Sequence, residues 1–234
     1  MLIDLRELGF KIGRDQLFNL LRNNDLLLKQ KRNHTRTTYS AHRFRIYKNL
    51  IKDIAITRAN QVFVSDITYV RTLSGFCYLA LVTDAFSRKI VGYDLSRSLA
   101  IEGAARALKM ALKDVAEPKE LIHHSDRGIQ YCSNSYVKIL TDKRCKISMT
   151  EESHVYENAL AERVNGILKS EFELKRNLQS FKVAKELVTQ AVNLYNRRRR
   201  HTNLNYQIPE HVHQLSIKEQ NNKNLKKENQ TNHS

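Results

Sequence analysis

Three β-branched and aromatic runs follow one another between residues 62 and 96, separated only by short turns. No other feature limits the fold as strongly. Val62–Val70 (Val-Phe-Val-Ser-Asp-Ile-Thr-Tyr-Val) reads as a buried strand. Phe76–Thr83 follows a turn at Ser74–Gly75, and Lys89–Leu95 follows the turn Asp84–Arg88. Strands this close in sequence predict an antiparallel meander. The period then changes. Ile101, Ala104, Ala105, Leu108, Leu112 and Val115 recur at helical spacing, and Pro118 ends that helix. Leu121–Ser125 reads as a fourth strand, 133–142 as a helix and Lys146–Met149 as a short fifth strand. Helical periodicity returns from about Glu157 to Phe172. A last amphipathic helix starts at Ser180, with Ala184, Leu187, Val188, Ala191, Val192 and Tyr195 on one face. The order β-β-β-α-β-α-β-α predicts an α/β fold with a mixed five-stranded sheet flanked by helices.

Charge divides the same chain into three. Of 234 residues, 40 are Lys or Arg and 24 are Asp or Glu, a formal charge of +16. Residues 1–60 carry 13 basic and 5 acidic side chains, residues 61–174 carry 15 of each, and residues 175–234 carry 12 and 4. A neutral centre between two arms of +8 suits a polyanionic partner held by the arms. Hydrophobic residues at 41% suffice for a packed core. No apolar run is long enough to cross a bilayer and no secretory pattern opens the chain, so a cytoplasmic protein without a membrane partner is expected. Cys77, Cys132 and Cys145 form no C-x-x-C pair and read as buried or half-buried free thiols. Residues 14–24 read as a short helix with Leu17, Leu20 and Leu21 on one side, and 29–48 as an extended basic linker in which Tyr39 and Tyr47 are interleaved. Four segments are therefore expected: a basic arm over 1–58 with a partial helix-turn-helix-like module, a core over 59–174, an amphipathic helix and basic segment over 175–213, and a disordered polar tail over 214–234.

An acid inside an apolar strand calls for a reason, because burying an unpaired carboxylate is costly. Asp66 stands in the middle of the first strand, and Asp126 ends the fourth in His-His-Ser-Asp-Arg-Gly. The element order is that of ribonuclease-H-like folds, in which these two strands are neighbours, and the carboxylates would then face each other. Like charges so placed shift each other's protonation unless a cation neutralises them. Glu162 supplies a third acid on the helical segment, opposite the Leu160/Val164 stripe, and Lys169 follows two turns later on the same face. Fifty-nine residues separate Asp66 from Asp126, and 35 separate Asp126 from Glu162. His123 and His124 alternate along their strand, so they cannot ligate one ion together; supporting or packing roles are expected. Asp84 is expected to shape a hairpin turn. Tyr131 and Tyr156 flank the acids, with base stacking and core packing equally open.

At these residues the sequence resembles the second-frame (OrfB) transposases of insertion-sequence family three, within the DDE transposase and retroviral integrase superfamily. The matching stretches are Asn60–Tyr69, Asp84–Gly92, His123–Tyr131, Glu157–Lys169 and Tyr195–His201, with Leu204 and Pro209, running in family order over roughly residues 10–213. Phe63 stands where the family often has Trp, and Glu157 replaces a common Asp. The amino-terminal helical module is short for the family.

The resemblance implies that Asp66, Asp126 and Glu162 are catalytic and bind two Mg²⁺ ions, for which Mn²⁺ would substitute. Two such ions serve in-line displacement at phosphorus. Water would first free a 3′-hydroxyl at the element end, and that hydroxyl would then join to target DNA. Lys169, Arg163 and Arg127 are candidates for phosphate contacts, and Arg197, Arg198, Arg199 and Arg200 for the DNA backbone. Terminal-repeat and target DNA, a homo-oligomer, a first-frame (OrfA) product supplying end recognition and a nucleoid-associated location in a bacterial cytoplasm complete the implied picture. Two alternatives stay open on sequence alone: a ribonuclease-H-like nuclease that cuts without joining, and a truncated DNA-binding relic or regulator.

Overall fold

The computed structural model describes residues 1–27, 43–151 and 159–231, with side chains described as far as residue 225. Compactness divides the chain at Arg36/Thr37, not at residue 58 as the charge pattern suggests. The first unit holds α1 (Leu2–Glu7) and α2 (Arg14–Asn23). Leu17 is buried on α2, whereas Leu20 is half-exposed, so the expected Leu17/Leu20/Leu21 stripe is only partly covered.

The second unit is built on β1 (Val62–Thr72), β2 (Gly75–Asp84), β3 (Ile90–Ser96), β4 (Ile122–Ser125) and β5 (Lys146–Met149), in the order β3-β2-β1-β4-β5. β1, β2 and β3 form the antiparallel meander, and β4 and β5 run parallel to β1. One face is covered by α3 (Ile101–Leu112), α4 (Ile129–Cys132) and α5 (Asn134–Asp142), where Phe63, Ala80 and Val82 meet Ala104, Leu108, Tyr136 and Leu140. The other is covered by α6 (Ala159–Glu171) and α7 (Phe181–Arg197), where Val70, Leu79 and Leu81 meet Val164, Leu168, Val188 and Tyr195. Alternation along β2 sends Ala80 and Val82 one way and Leu79 and Leu81 the other, so both faces are apolar. The Ser180 hydroxyl caps α7 by accepting from Val183 N, and Ser133 caps α5 from Tyr136 N. All three cysteines are buried and free.

Two stretches depart from what composition predicts. Residues 43–58, read as part of a basic arm, belong to the core: Phe44 and Tyr47 pack on the α3 face, Ile51 and Ile56 on the Val62/Val64 cluster, and Leu50 N donates to Ser148 Oγ at 2.8 Å. These apolar residues reach the sheet from chain that is neither helix nor strand, and Lys, Arg and Asp are interleaved with them. Tyr47 is thereby occupied with packing, while Tyr39 lies outside the described residues. The polar stretch after Pro209 is not disordered through Thr231 but forms the helix α8 (Pro209–Thr231). It contains no Gly and no Pro after its first residue, and Lys, Gln and Glu are good helix formers. Its first half docks through buried polar groups. Ser216 Oγ accepts from Ala59 N at 2.9 Å, and His213 Nδ1 lies 3.1 Å from Ser87 Oγ. That serine donates to the fully buried Asp84, which also accepts from Ser87 N and Asn60 N, each at 2.7 Å. Asp84 shapes its turn as expected and also anchors the entry to β1.

Close approach of α3 depends on Gly92. A Cβ there would lie 2.1 Å from the Ala107 carbonyl and 2.9 Å from the Ala111 Cβ, with helix backbone unable to yield. Gly92→Ala is expected to destabilise the fold by about 1–3 kcal/mol or more, read as a drop of several degrees in Tm by calorimetry. Gly13→Ala, where a Cβ meets nothing, serves as the control.

Candidate active site

β4 stops at Ser125, whose partner on β1 is Ser65. Asp66 and Asp126 are each the next residue, so parallel register sets the two carboxylates side by side where β1 loses its neighbour. The same edge of β1 is closed again at Thr72, which bridges to Leu178. Between these points lies a cleft lined by Asp66, Ile67, Tyr69, Leu99, Asp126, Gly128, Gln130 and Tyr131. The turn after Asp126 has a local cause: Asp126 Oδ1 accepts from Gly128 N at 2.9 Å. A Cβ on Gly128 would sit 2.9 Å from that same oxygen, so only glycine leaves the carboxylate where it is.

Asp66 is half-buried; its Oδ1 accepts from Ile67 N at 2.9 Å and its Oδ2 from Asn165 Nδ2 at 2.7 Å. Burial first, and the Asp126 charge second, push its carboxyl up to about 7 in spite of those two bonds, with Glu162 adding a smaller push. Two hard carboxylates with mutually unfavourable charge suit a divalent cation of the Mg²⁺ kind. Among the described residues no three His, Cys, Asp or Glu side chains converge closely enough to hold an ion. The structure thus pairs two of the three predicted acids. Glu162 sits exposed in the first turn of α6, near enough to act on Asp66 but outside the pair.

The predicted cations separate in the same way. Lys169 is half-buried; burial lowers its ammonium from the ordinary range and the Asp66 charge works against that, placing it toward the acids. Arg127 turns to the end of β5, donating Nε to the Thr150 carbonyl at 2.7 Å. Arg163 is exposed and its charge is felt by Tyr195 and His201, on the α7 side of the helix. Arg199 donates Nε and Nη2 to the two Glu171 oxygens, each at 2.6 Å, and Arg200 reaches the Tyr206 carbonyl. Arg197 and Arg198 are exposed. His123 takes Ser65 Oγ and Tyr136 Oη at Nε2, and His124 takes Ser148 Oγ at Nδ1; both are buried, in supporting positions. Burial pushes His123 down to about 3, so it is neutral. Tyr131 is buried against Tyr136 and packs in the core beside the cleft. Tyr156 lies outside the described residues.

Asn165 is the site residue that sequence reasoning passes over. It is buried, it holds Asp66, and its Oδ1 has no hydrogen-bond partner. Its signal was spacing: three residues after Glu162 and four before Lys169, it shares their helix face.

Comparison with known proteins places this geometry. Residues 56–154 and residues 143–209 each match a family described as Integrase core domain. The insertion element IS600 uncharacterized 31 kDa protein of Shigella sonnei is 37% identical over 219 residues, covering 91% of this chain and 80% of that protein. Transposase InsF for insertion sequence IS3A of Escherichia coli (strain K12) is 33% identical over 201 residues, covering 85% of this chain and 70% of InsF. Among solved structures, the HTLV-2 integrase catalytic core domain in complex with magnesium superposes with a TM-score of 0.53 at 19% identity, over 66% of this chain and 96% of that one. The simian T-cell lymphotropic virus intasome in complex with PP2A regulatory subunit B56 gamma gives 0.57 at 18% identity, over 90% and 73%. These two show the same ribonuclease-H-like fold.

A raised carboxyl has a consequence for metal-free protein. The folded state holds the Asp66 proton more tightly than the unfolded chain does. Stability therefore falls as pH rises from about 4 toward 7 and stays reduced above that. Asp66→Asn escapes this loss, and Asn165 can turn its free oxygen toward the new amide. In EDTA, the variant is expected to melt several degrees above wild type at pH 8, with the gap closing toward pH 4; at about 1.4 kcal/mol per tenfold change the effect is at most a few kcal/mol. Thermal melts across pH 4–8 read it directly.

Proposed function

The chain belongs to the IS3 family of insertion-sequence transposases, enzymes of the DDE polynucleotidyl transferase class that act on DNA, and from that premise we propose that Asp66, Asp126 and Glu162 are its catalytic carboxylates. The observation that carries this reading is the Ser65/Ser125 register, which leaves Asp66 and Asp126 side by side in an open cleft. Two half-buried acids set side by side where β4 stops repel each other, and a bound cation would relieve that repulsion.

Asp66 and Asp126 would hold the metal between them, and Glu162 would complete the set from α6. When bound, two Mg²⁺ ions (or Mn²⁺) supply activation of the attacking oxygen and stabilisation of the leaving one. The protein's own groups position the DNA. Asn165 keeps the Asp66 carboxylate turned toward the cleft, Gly128 leaves room for that of Asp126, and Lys169 offers its ammonium to a phosphate beside Asp66. In the first step water attacks the phosphodiester at the element end, a P–O bond forms, and the bond to the 3′-oxygen breaks to leave a free 3′-hydroxyl. In the second, that hydroxyl attacks a target phosphodiester and displaces another 3′-oxygen, so no protein–DNA bond is made.

Contacts along the DNA backbone fall to Arg197 and Arg198, the exposed pair of the arginine run, and to Arg163, exposed on α6; Arg127, Arg199 and Arg200 are already held by protein groups. The amino-terminal unit would approach DNA separately. Holding two ends calls for a homo-oligomer, as the intasome form of one structural relative illustrates, and a first-frame product would supply end recognition. The enzyme would work at the nucleoid in the cytoplasm.

Labelled terminal-repeat DNA with Mg²⁺ tests the assignment. Wild type is expected to nick at the 3′ end and to join; Asp66→Asn, Asp126→Asn and Glu162→Gln are each expected to lose on the order of 10³-fold or more. Full activity in any of them removes that residue from the set, and cutting without joining by wild type turns the reading toward a nuclease. Salt titration of DNA binding separates the arginines. Replacing Arg197 and Arg198 by Ala is expected to lower the slope of log affinity against log salt by up to about 2. Arg199→Ala is expected to leave the slope nearly unchanged while lowering Tm, because Glu171 loses its partner.

A further inference from the structure

The sheet face carrying Ile67 continues beyond the helices toward the β1–β2 hairpin. There Tyr69 pairs with Tyr78 and Arg71 with Phe76. Farther back on this face Phe63, Ala80 and Val82 are roofed by α3 and α5, but Phe76 is 51% exposed, Arg71 is exposed, and Tyr69 and Tyr78 are half-exposed. The rings hold one another in place. Tyr69 meets Tyr78 edge-on at 5.3 Å and Phe76 at 5.8 Å, and the Arg71 guanidinium lies 5.1 Å over the Phe76 ring. Tyr69 is at the same time a wall of the cleft that holds Asp66 and Asp126. The strip therefore meets the cleft at Tyr69, on the α3 face of β1, while the Asp66 side chain turns to Asn165 on the α6 face; from Tyr69 it runs outward and ends in a cation.

We propose that this strip binds the unpaired nucleotides adjoining the phosphate to be cut, with bases stacked on Tyr69 and Phe76 and a backbone phosphate on Arg71. The assignment rests on reading Asp66 and Asp126 as the catalytic pair. Three features select a single strand as the occupant. Aromatic faces accept any base whose own face is free, and a duplex offers none along its length. One arginine beside the rings can meet one backbone phosphate of such a strand. The continuity of Tyr69 with the acid cleft brings that strand to the reacting centre. Fixed ring geometry also means that little side-chain freedom is lost on binding.

The probe is fluorescein-labelled dT12, titrated with the full chain in EDTA and followed by anisotropy. A second probe is a duplex with a short overhang carrying 2-aminopurine. Phe76→Ala and Tyr69→Ala are each expected to weaken dT12 about fivefold to a hundredfold and to restore 2-aminopurine fluorescence, with Phe76→Trp retaining both. Arg71→Ala is expected to weaken dT12 and lower the salt slope by about 0.7. A blunt 20-bp duplex should respond about twofold or less. Phe76 and Arg71 are exposed, so their variants stay folded even where Tyr69→Ala does not. Wild-type affinity for dT12 and unquenched 2-aminopurine in folded Phe76→Ala and Arg71→Ala would overturn the proposal. So would a dimer, seen by light scattering, that Phe76→Ala dissociates with no change in dT12 affinity. Asp66→Asn separates the two claims. If it loses nicking while the Phe76 variants bind normally, only the strip is wrong. If it still nicks, the catalytic reading falls and the placement beside a scissile phosphate falls with it.

Discussion

Everything in the cleft depends on the parallel pairing of β1 with β4 and on the point at which that pairing stops. Four residue pairs join the strands, from Val62/Ile122 to Ser65/Ser125, and the next residue on each strand is an aspartate. A one-residue slip would turn one carboxylate to the opposite face and separate the pair. The register is fixed by what surrounds it: Phe63 is fully buried on the α3 face, Val62 and Val64 pack in the opposite cluster, and His123 spans to Ser65 and Tyr136. His123 is buried and neutral, and its role is to lock β4 to β1 from within.

Two mutually repelling acids make the folded state less stable than it could be, and the rest of the unit compensates by bracing the elements that carry them. α6 is coupled to β1 through Asn165 and Asp66, and α7 presses α6 against the sheet through the Val164, Leu168 and Val188 cluster. Arg199, at the end of α7, closes onto Glu171 at the end of α6, so the basic run that follows α7 serves packing as well as charge. On the other face α3 approaches the meander closely over Gly92. The Asp84–Ser87–His213 chain ties α8 to the turn that opens β3. The Asp84 carboxylate can be fully buried in that chain because it accepts three hydrogen bonds.

Much of the second unit was legible because its signals are periodic or rule-bound. The five strands, the α3 and α7 stripes and the adjacency of Asp66 and Asp126 all follow from alternation, helical spacing and element order. Asp84 as a turn residue follows from its side-chain chemistry. What escaped was non-periodic. Phe44, Tyr47, Ile51 and Ile56 reach the core singly from irregular chain, and their basic neighbours made the segment read as an arm. α8 was hidden because its docked face is made of His213, Ser216 and Gln220, polar residues that composition assigns to solvent. Asn165 was passed over because an amide on a helix is ordinary until a buried carboxylate is placed against it. Among the arginines, sequence could count charges but could not show that Arg199 and Arg127 already have protein partners.

That last distinction reshapes the electrostatic picture. The net charge of +16 suggests DNA held by uniformly basic arms, yet several of the arm cations are committed internally. Lys169 lies half-buried beside Asp66, Arg163 is exposed next to Glu162, and Arg71 is exposed at the far end of the aromatic strip. A long-range field brings a polyanion to the surface, but it falls off within about 10 Å in ordinary salt and cannot position one phosphate. Placement has to come from short-range groups that are rigid before DNA arrives. Lys169 is held by burial on α6 and Arg71 by its stack on Phe76, so both charges are in place before DNA arrives.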